Sequence, residues 1–142
     1  MAYDPNNIFA RILRNEIPAC KVYEDAQVLS FMDVMPQSDG HTLVIPKAEA
    51  ENLFELAPQN LSLLVLATQR IARAVQAALQ PDGLTLMQFN GPAAGQTVFH
   101  VHFHIVPRYA DQPLRSHGRE MADIQILAAQ AEKIKAALNS AQ

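Results

Sequence analysis

The 142 residues carry 11 Lys and Arg against 14 Asp and Glu, a net charge of −3, and 49% of them are hydrophobic. This balance excludes the broad basic surface that nucleic-acid polymers require, and the single cysteine, Cys20, excludes an internal disulfide and points to the reducing cytoplasm. No apolar run approaches the roughly 18 residues of a membrane span.

The start of the chain, with Asp4, Arg11 and Arg14 among scattered apolar residues, reads as part of the fold rather than as a leader. No repeat or linker interrupts the chain, so one domain over 1–142 is expected, with a core over about 5–108 and a C-terminal extension over about 109–142. Ile8, Phe9, Ile12 and Leu13 predict a short helix before the turn at 15–18. Runs rich in Val, Tyr, Leu and Phe at 21–24 and 28–32 predict a hairpin, and 41–45, fenced by Gly40 and Pro46, a third strand. From 58 to 79, Leu61, Leu64, Val65, Thr68, Ile71, Ala72, Val75 and Leu79 recur at three- and four-residue steps, which predicts a long amphipathic helix stopped by Pro81 and Gly83. A fourth strand is expected over 84–89 and a fifth over 98–106, ended by Pro107. A final amphipathic helix carries Ile124, Leu127, Ala131, Ile134 and Leu138. The pattern predicts an α+β fold, an antiparallel sheet covered on one side.

Chemistry concentrates in the fifth strand. His100, His102 and His104 alternate with Val101, Phe103 and Ile105. On a strand, alternate side chains share a face, so the three imidazoles are expected side by side, roughly 6.6 Å apart. Two unit charges at about 7 Å repel by roughly 2.4 kcal/mol at an effective dielectric of about 20, so such a row mixes neutral and protonated rings. A neutral ring can then attack phosphorus beside a ring that assists the leaving group. Two other readings stand beside this one. An exposed strand face can simply collect histidines, and imidazoles can ligate zinc. Three rings on one straight strand spread over roughly 13 Å, too far to meet a single ion, which leaves only a two-histidine site completed from elsewhere.

The loop at 90–97 precedes this strand and holds Asn90, Gly95, Gln96 and Thr97, whose amides and hydroxyl suit an anion as well as a hairpin tip. Arg108, Arg115 and Arg119 with His117 give the stretch after Gly95 a local positive excess. Asp33 offers a short acceptor for a vicinal diol, or a turn before Pro36.

The run from Gly95 to Val106 resembles the signature of the histidine triad (HIT) family, in particular its Hint branch of nucleoside phosphoramidases in bacterial form. Ile8 with Phe9, Glu16 to Pro18, Phe31 to Asp33 and His41 to Lys47 extend the likeness. The resemblance implies a five-stranded antiparallel sheet with one long helix packed on it and a C-terminal helix, joined into a homodimer with a continuous ten-stranded sheet. It implies that His102 takes a nucleoside monophosphoryl group as a phosphohistidine, that His104 contacts the phosphate and helps the leaving group depart, that His100 orients the nucleophile and that His41 completes the network. Asn90, Gly95, Gln96 and Thr97 would hold the phosphate side, Asp33 the ribose, and Ile8, Phe9, Ile17, Phe31 and Val34 a purine base. No cofactor and no catalytic metal are implied. Many bacterial relatives place two cysteines around an Ile and a Phe as part of a structural zinc site, whereas this chain has Asn7, Ile8, Phe9 and Ala10. A structural zinc is therefore not expected. Arg115, His117 and Arg119 lie beyond the matched region, in a solvated loop or near the leaving group. Hydrolysis of dinucleoside polyphosphates and nucleotide binding with little catalysis are the alternatives that the family offers.

Overall fold

Five antiparallel strands form the sheet in the order β1-β2-β3-β5-β4, so the strand that follows the long helix and the last strand sit together at one side. The strands are β1 (Lys21–Glu24), β2 (Val28–Met32), β3 (Thr42–Pro46), β4 (Gly83–Met87) and β5 (Phe103–Arg108). The helices are α1 (Ile8–Leu13), α2 (Pro58–Leu79) and α3 (Ile124–Ser140), in a computed structural model that describes residues 3–116 and 120–140. His117 and Arg119 lie outside the described residues.

Helix ends obey local chemistry. The Asn7 side chain accepts the Ala10 amide at 2.9 Å and starts α1, while Pro58 occupies the first turn of α2, where no amide hydrogen is needed. α2 ends with Gln80 in the left-handed region, one residue before Pro81.

The sheet is covered on both faces, not one. Val28, Met32, Val44, Val101 and Ile105 pack with Leu64, Ile71 and Val75 of α2 and with Leu127, Ala131, Ile134 and Leu138 of α3. On the other face, Leu29, Phe31, Leu43 and Ile45 pack against Phe9 and Ile12 of α1. The expectation of one covered side failed because α1, although only 6 residues long, buries Phe9, Ala10 and Ile12. At about 25 cal/mol per Å² of apolar surface, burying even Phe9 and Ile12 stabilises this contact by a few kcal/mol.

β5 begins at Phe103, five residues later than the alternation suggested. Its register against β3 pairs Val44 with Phe103 and Thr42 with Ile105. Continued backwards, that register would set Pro46 opposite Val101, and proline has no amide to give the ladder. Val101 instead donates its N–H to the Ala50 carbonyl at 2.9 Å. Residues 98–102 are therefore irregular chain, so His100 and His102 precede β5 and only His104 lies within it.

Candidate active site

Between α1 and its face of the sheet lies a cavity of about 340 Å³, within the size range of small-molecule sites. Ile8, Phe9, Ile17, Phe31 and Val34 form apolar walls, and Asp33, Thr97, His102 and His104 bring polar groups to it. Phe9 stands edge-on to both Phe31, at 5.4 Å between centroids, and His102, at 4.9 Å. The helix that carries the apolar wall thus also braces a histidine. Ile8 and Val34 are the more exposed members and sit at the rim.

The four histidines do not form a row. His102 and His104 have ring centroids 4.9 Å apart, against the roughly 6.6 Å between alternate positions along a strand backbone. His100 lies outside the cavity lining, fully buried, with Nε2 2.8 Å from the Pro46 carbonyl oxygen and Nδ1 bonded to the Tyr3 hydroxyl. Of the three rings expected side by side, His102 and His104 line the cavity and His100 does not, while Val101, Phe103 and Ile105 all pack in the core with α2 and α3. His41, buried at the start of β3, reaches His104 from the neighbouring strand, Nε2 to Nδ1 at 3.0 Å.

Hydrogen-bond partners assign the protons. The Gln37 amide donates to His41 Nδ1 at 3.0 Å, so the neutral ring carries its proton on Nε2. That proton points to His104 Nδ1, with Asp33 Oδ2 a second acceptor at 3.5 Å. His104 therefore holds its own proton on Nε2. His102 Nδ1 lies 2.6 Å from the carbonyl oxygen of His100, an acceptor only, so Nδ1 bears a hydrogen and, in the neutral ring, Nε2 carries the lone pair. A lone pair on one ring and an N–H on its neighbour are the two functions that displacement at phosphorus uses. Burial, opposed in part by the Pro46 carbonyl and reinforced by His102, pushes His100 down to about 4 and keeps it neutral.

Asp33, His41 and His104 bring ligand-type atoms within 4.8 Å of one another. The set suits a proton chain better than a cation. A metal on His41 Nε2 would require the hydrogen on Nδ1, directly against the Gln37 N–H. The cysteine-pair positions are likewise unsuited to zinc. The Asn7 side chain is engaged in capping α1, Ala10 has no ligand atom, and Cys20 packs against the core on the other face of the sheet.

The loop before β5 departs from expectation. Asn90 Oδ1 accepts from the Leu53 amide at 2.9 Å and from Gln88, and its Nδ2 donates to Gln88 Oε1. Gln96 donates to the carbonyls of Glu51 and Val98 and accepts from Gly91 N–H. Gly95, at φ +102°, donates its amide to the Pro92 carbonyl and lies against Phe89. Asn90, Gly95 and Gln96 thus shape the loop and do not line the cavity, whereas Thr97 does. Arg115 also stands apart, paired with Asp39 at 2.8 Å on the surface. Among the described residues no Arg or Lys lines the cavity. Sequence reasoning missed Tyr3 behind His100 and Phe89, whose ring lies 5.3 Å from His104. Phe89 stands two residues past the end of β4, the neighbour of β5, and the closeness of 84–89 to the histidine segment was the available signal. Tyr3 has none, because 97 positions separate it from its partner.

The match of residues 14–111 to the HIT domain covers most of the chain. The chain belongs to the HIT family. The crystal structure of a Hit-like protein of Bartonella henselae is 50% identical, covers 96% of this chain and 99% of its own, and superposes with a TM-score of 0.92. A hypothetical histidine triad nucleotide-binding protein of Sulfolobus tokodaii is 30% identical over 93% of this chain and 91% of its own, with a TM-score of 0.86. Adenylylsulfatase HINT3 of Arabidopsis thaliana is 37% identical over 120 residues, 80% of this chain and 61% of that protein. The α+β architecture expected from the sequence is that of this family's solved structures. The HIT family contains nucleotide-binding proteins and at least one hydrolase. Among the described residues no helix is long and apolar enough to cross a membrane.

Proposed function

We propose that this HIT protein is a nucleotidyl hydrolase or transferase acting on adenosine 5′-phosphoramidates and related purine nucleoside monophosphoryl substrates. The single observation that carries the reading is the proton arrangement at the paired rings: His102 tied by Nδ1–H to the His100 carbonyl, and His104 aligned by His41. The base enters among Ile8, Phe9, Ile17, Phe31 and Val34, and the ribose hydroxyls meet Asp33, whose Oδ1 is already fixed by the Met35 amide at 2.8 Å. His102 Nε2 forms a bond to phosphorus as the bond from phosphorus to the leaving nitrogen or oxygen breaks. His104 Nε2–H donates to a phosphoryl oxygen and lowers the cost of charge there. The leaving group takes a proton from water, and the hydroxide so formed displaces His102 from phosphorus, releasing the nucleoside monophosphate. No metal or cofactor enters this scheme.

The relative named as an adenylylsulfatase supports a second substrate class, in which sulfate leaves through oxygen. Initial rates with adenosine phosphoramidate, adenosine 5′-phosphosulfate and diadenosine polyphosphates rank the leaving groups. His102→Ala abolishes product with each while AMP affinity stays within about tenfold, since binding is spread over many contacts. Near-normal turnover by that variant refutes the assignment.

The reading includes a homodimer in the cytoplasm. Its support is the edge position of β4 and the groove of about 620 Å³ beside it, lined by Val65, Ala72, Leu84, Leu86 and Phe103. An exposed Leu86 on an edge strand is a liability unless paired. Sedimentation equilibrium of the protein and of Leu86→Glu tests this, and a monomeric wild type refutes it.

A further inference from the structure

Tyr3 precedes every regular element, yet its hydroxyl reaches the buried ring of His100, and the two rings meet edge to face at 5.6 Å with an interplanar angle of 69°. The short segment that carries it is tied down. Asn7 N–H donates to the Asp4 carbonyl, Asn6 N–H to Asp4 Oδ1, and Arg14 at the far end of α1 reaches back to the Pro5 carbonyl at 2.8 Å. Tyr3 is therefore delivered to His100 by the same helix that walls the cavity.

The direction of the bond is settled by its neighbours. His100 Nε2 faces the Pro46 carbonyl, which only accepts, so Nδ1 carries the lone pair and the tyrosine O–H donates. With both nitrogens engaged, His100 is held at two ends. Its carbonyl oxygen is the acceptor that fixes His102 Nδ1–H at 2.6 Å, and the Val101 amide bond to Ala50 holds the next peptide.

We infer that Tyr3 is a positioning residue for the nucleophilic ring, acting through the side chain and then the carbonyl of His100 on the orientation and tautomer of His102. The inference rests on the proposed role of His102 as nucleophile. A phenol hydroxyl secures the N-terminal segment to this histidine. Removal of the hydroxyl leaves a buried Nδ1 without its donor, which favours a flipped or protonated ring. Either change shifts the peptide that receives the His102 hydrogen. The groups acting on this pair are His102 on His100, and Asn7, Glu49, Arg14 and Asp4 on Tyr3. Burial, together with Glu49 and Asp4 and against Asn7 and Arg14, raises the phenol and keeps it a donor across the working range.

The test is Tyr3→Phe in the full chain, which keeps the aromatic packing and deletes only the donor. Long-range ¹H–¹⁵N spectra of wild type show His100 as an Nε2–H ring that does not titrate above about pH 5, and His102 as an Nδ1–H ring. In Tyr3→Phe the His100 titration moves to higher pH and the His102 Nδ1–H resonance broadens or weakens. In rapid-quench assays the phosphohistidine burst slows about five- to tenfold, the equivalent of one hydrogen bond of about 1 kcal/mol, its acid limb moves to higher pH, and the AMP Kd stays within twofold. A variant with a lower Tm but unchanged ring spectra and burst rate shows a merely structural tyrosine and overturns the inference. A wild type with no burst, but with ring spectra that depend on Tyr3, refutes the nucleotidyl-transfer reading alone, because the spectra decide the tyrosine's control of the two rings independently.

Discussion

His41 does not line the cavity, so its replacement acts through its neighbours, chiefly His104 at 3.0 Å and more weakly Asp33 at 3.5 Å. His41→Leu removes the donor to His104 Nδ1 and leaves the Gln37 N–H without its acceptor. His104 can then carry its hydrogen on either nitrogen, and the form with Nδ1–H presents a lone pair to a negatively charged phosphoryl oxygen. A hydrogen bond to a charged group is worth about 1.5–3 kcal/mol, which predicts a fall in the first chemical step of about 10- to 150-fold. His41→Gln is the control. A Gln amide in extended rotamer places an N–H near the position of Nε2, so it should restore turnover to within about fivefold. Both variants lose about 1–3 kcal/mol of stability from the orphaned Gln37 amide, so a stability loss alone does not explain the contrast. The assay is single-turnover cleavage of adenosine phosphoramidate, with folding checked by urea titration. A folded His41→Leu that reacts at the wild-type rate, or a His104 ring found with its proton on Nδ1, refutes the tautomer argument.

The same geometry makes three further outcomes testable. Asp33→Asn keeps the oxygen that accepts the Met35 amide but loses the carboxylate charge, so the preference for ribose over 2′-deoxyribose substrates, measured as a ratio of kcat/KM, should shrink at least several-fold; an unchanged ratio removes Asp33 from the ribose contact. Gly40 sits at φ +93°, a backbone conformation that residues with a Cβ rarely adopt, and a Cβ there would stand 2.3 Å from Leu79 Cδ1 and displace that side chain; Gly40→Ala should cost about 1–3 kcal/mol in urea unfolding, with less than about 0.5 kcal/mol sinking the backbone-strain account. His100, held near 4 when folded and near 6.5 when unfolded, binds its proton more readily in the unfolded chain; stability is retained above about pH 6.5 and lost as pH falls toward 4, by about 2 kcal/mol between pH 7 and 5. A His100→Asn variant should lack that part of the slope, and an identical slope would contradict it.

The element order and most boundaries were legible because their causes are local. Pro58 opens α2 in its first turn, and β3 begins just after Gly40 and ends on Pro46 itself, one residue beyond the expected limit. β5 was misread because alternation of His with Val, Phe and Ile does not distinguish a strand from an extended segment, and what ends the ladder is Pro46, a residue of another strand. The cavity lining showed the same division. Ile8, Phe9, Ile17, Phe31, Asp33, Val34, Thr97, His102 and His104 do converge, and a resemblance could place them. Asn90, Gly95 and Gln96 look like anion-binding residues by type, but their polar groups are consumed by Gln88, Leu53, Glu51 and Pro92, partners that composition does not reveal. The Tyr3 bond is invisible in sequence for the same reason.

The central claim is that the lone pair on His102 Nε2 attacks phosphorus directly. Mixing the protein with adenosine 5′-phosphoramidate labelled at phosphorus, quenching in alkali within milliseconds and mapping the acid-labile label addresses it without intermediaries. The account predicts one nucleotidylated residue, His102, formed before AMP is released. Label on His104 or His100, or release of AMP with no labelled histidine at any time, would contradict it.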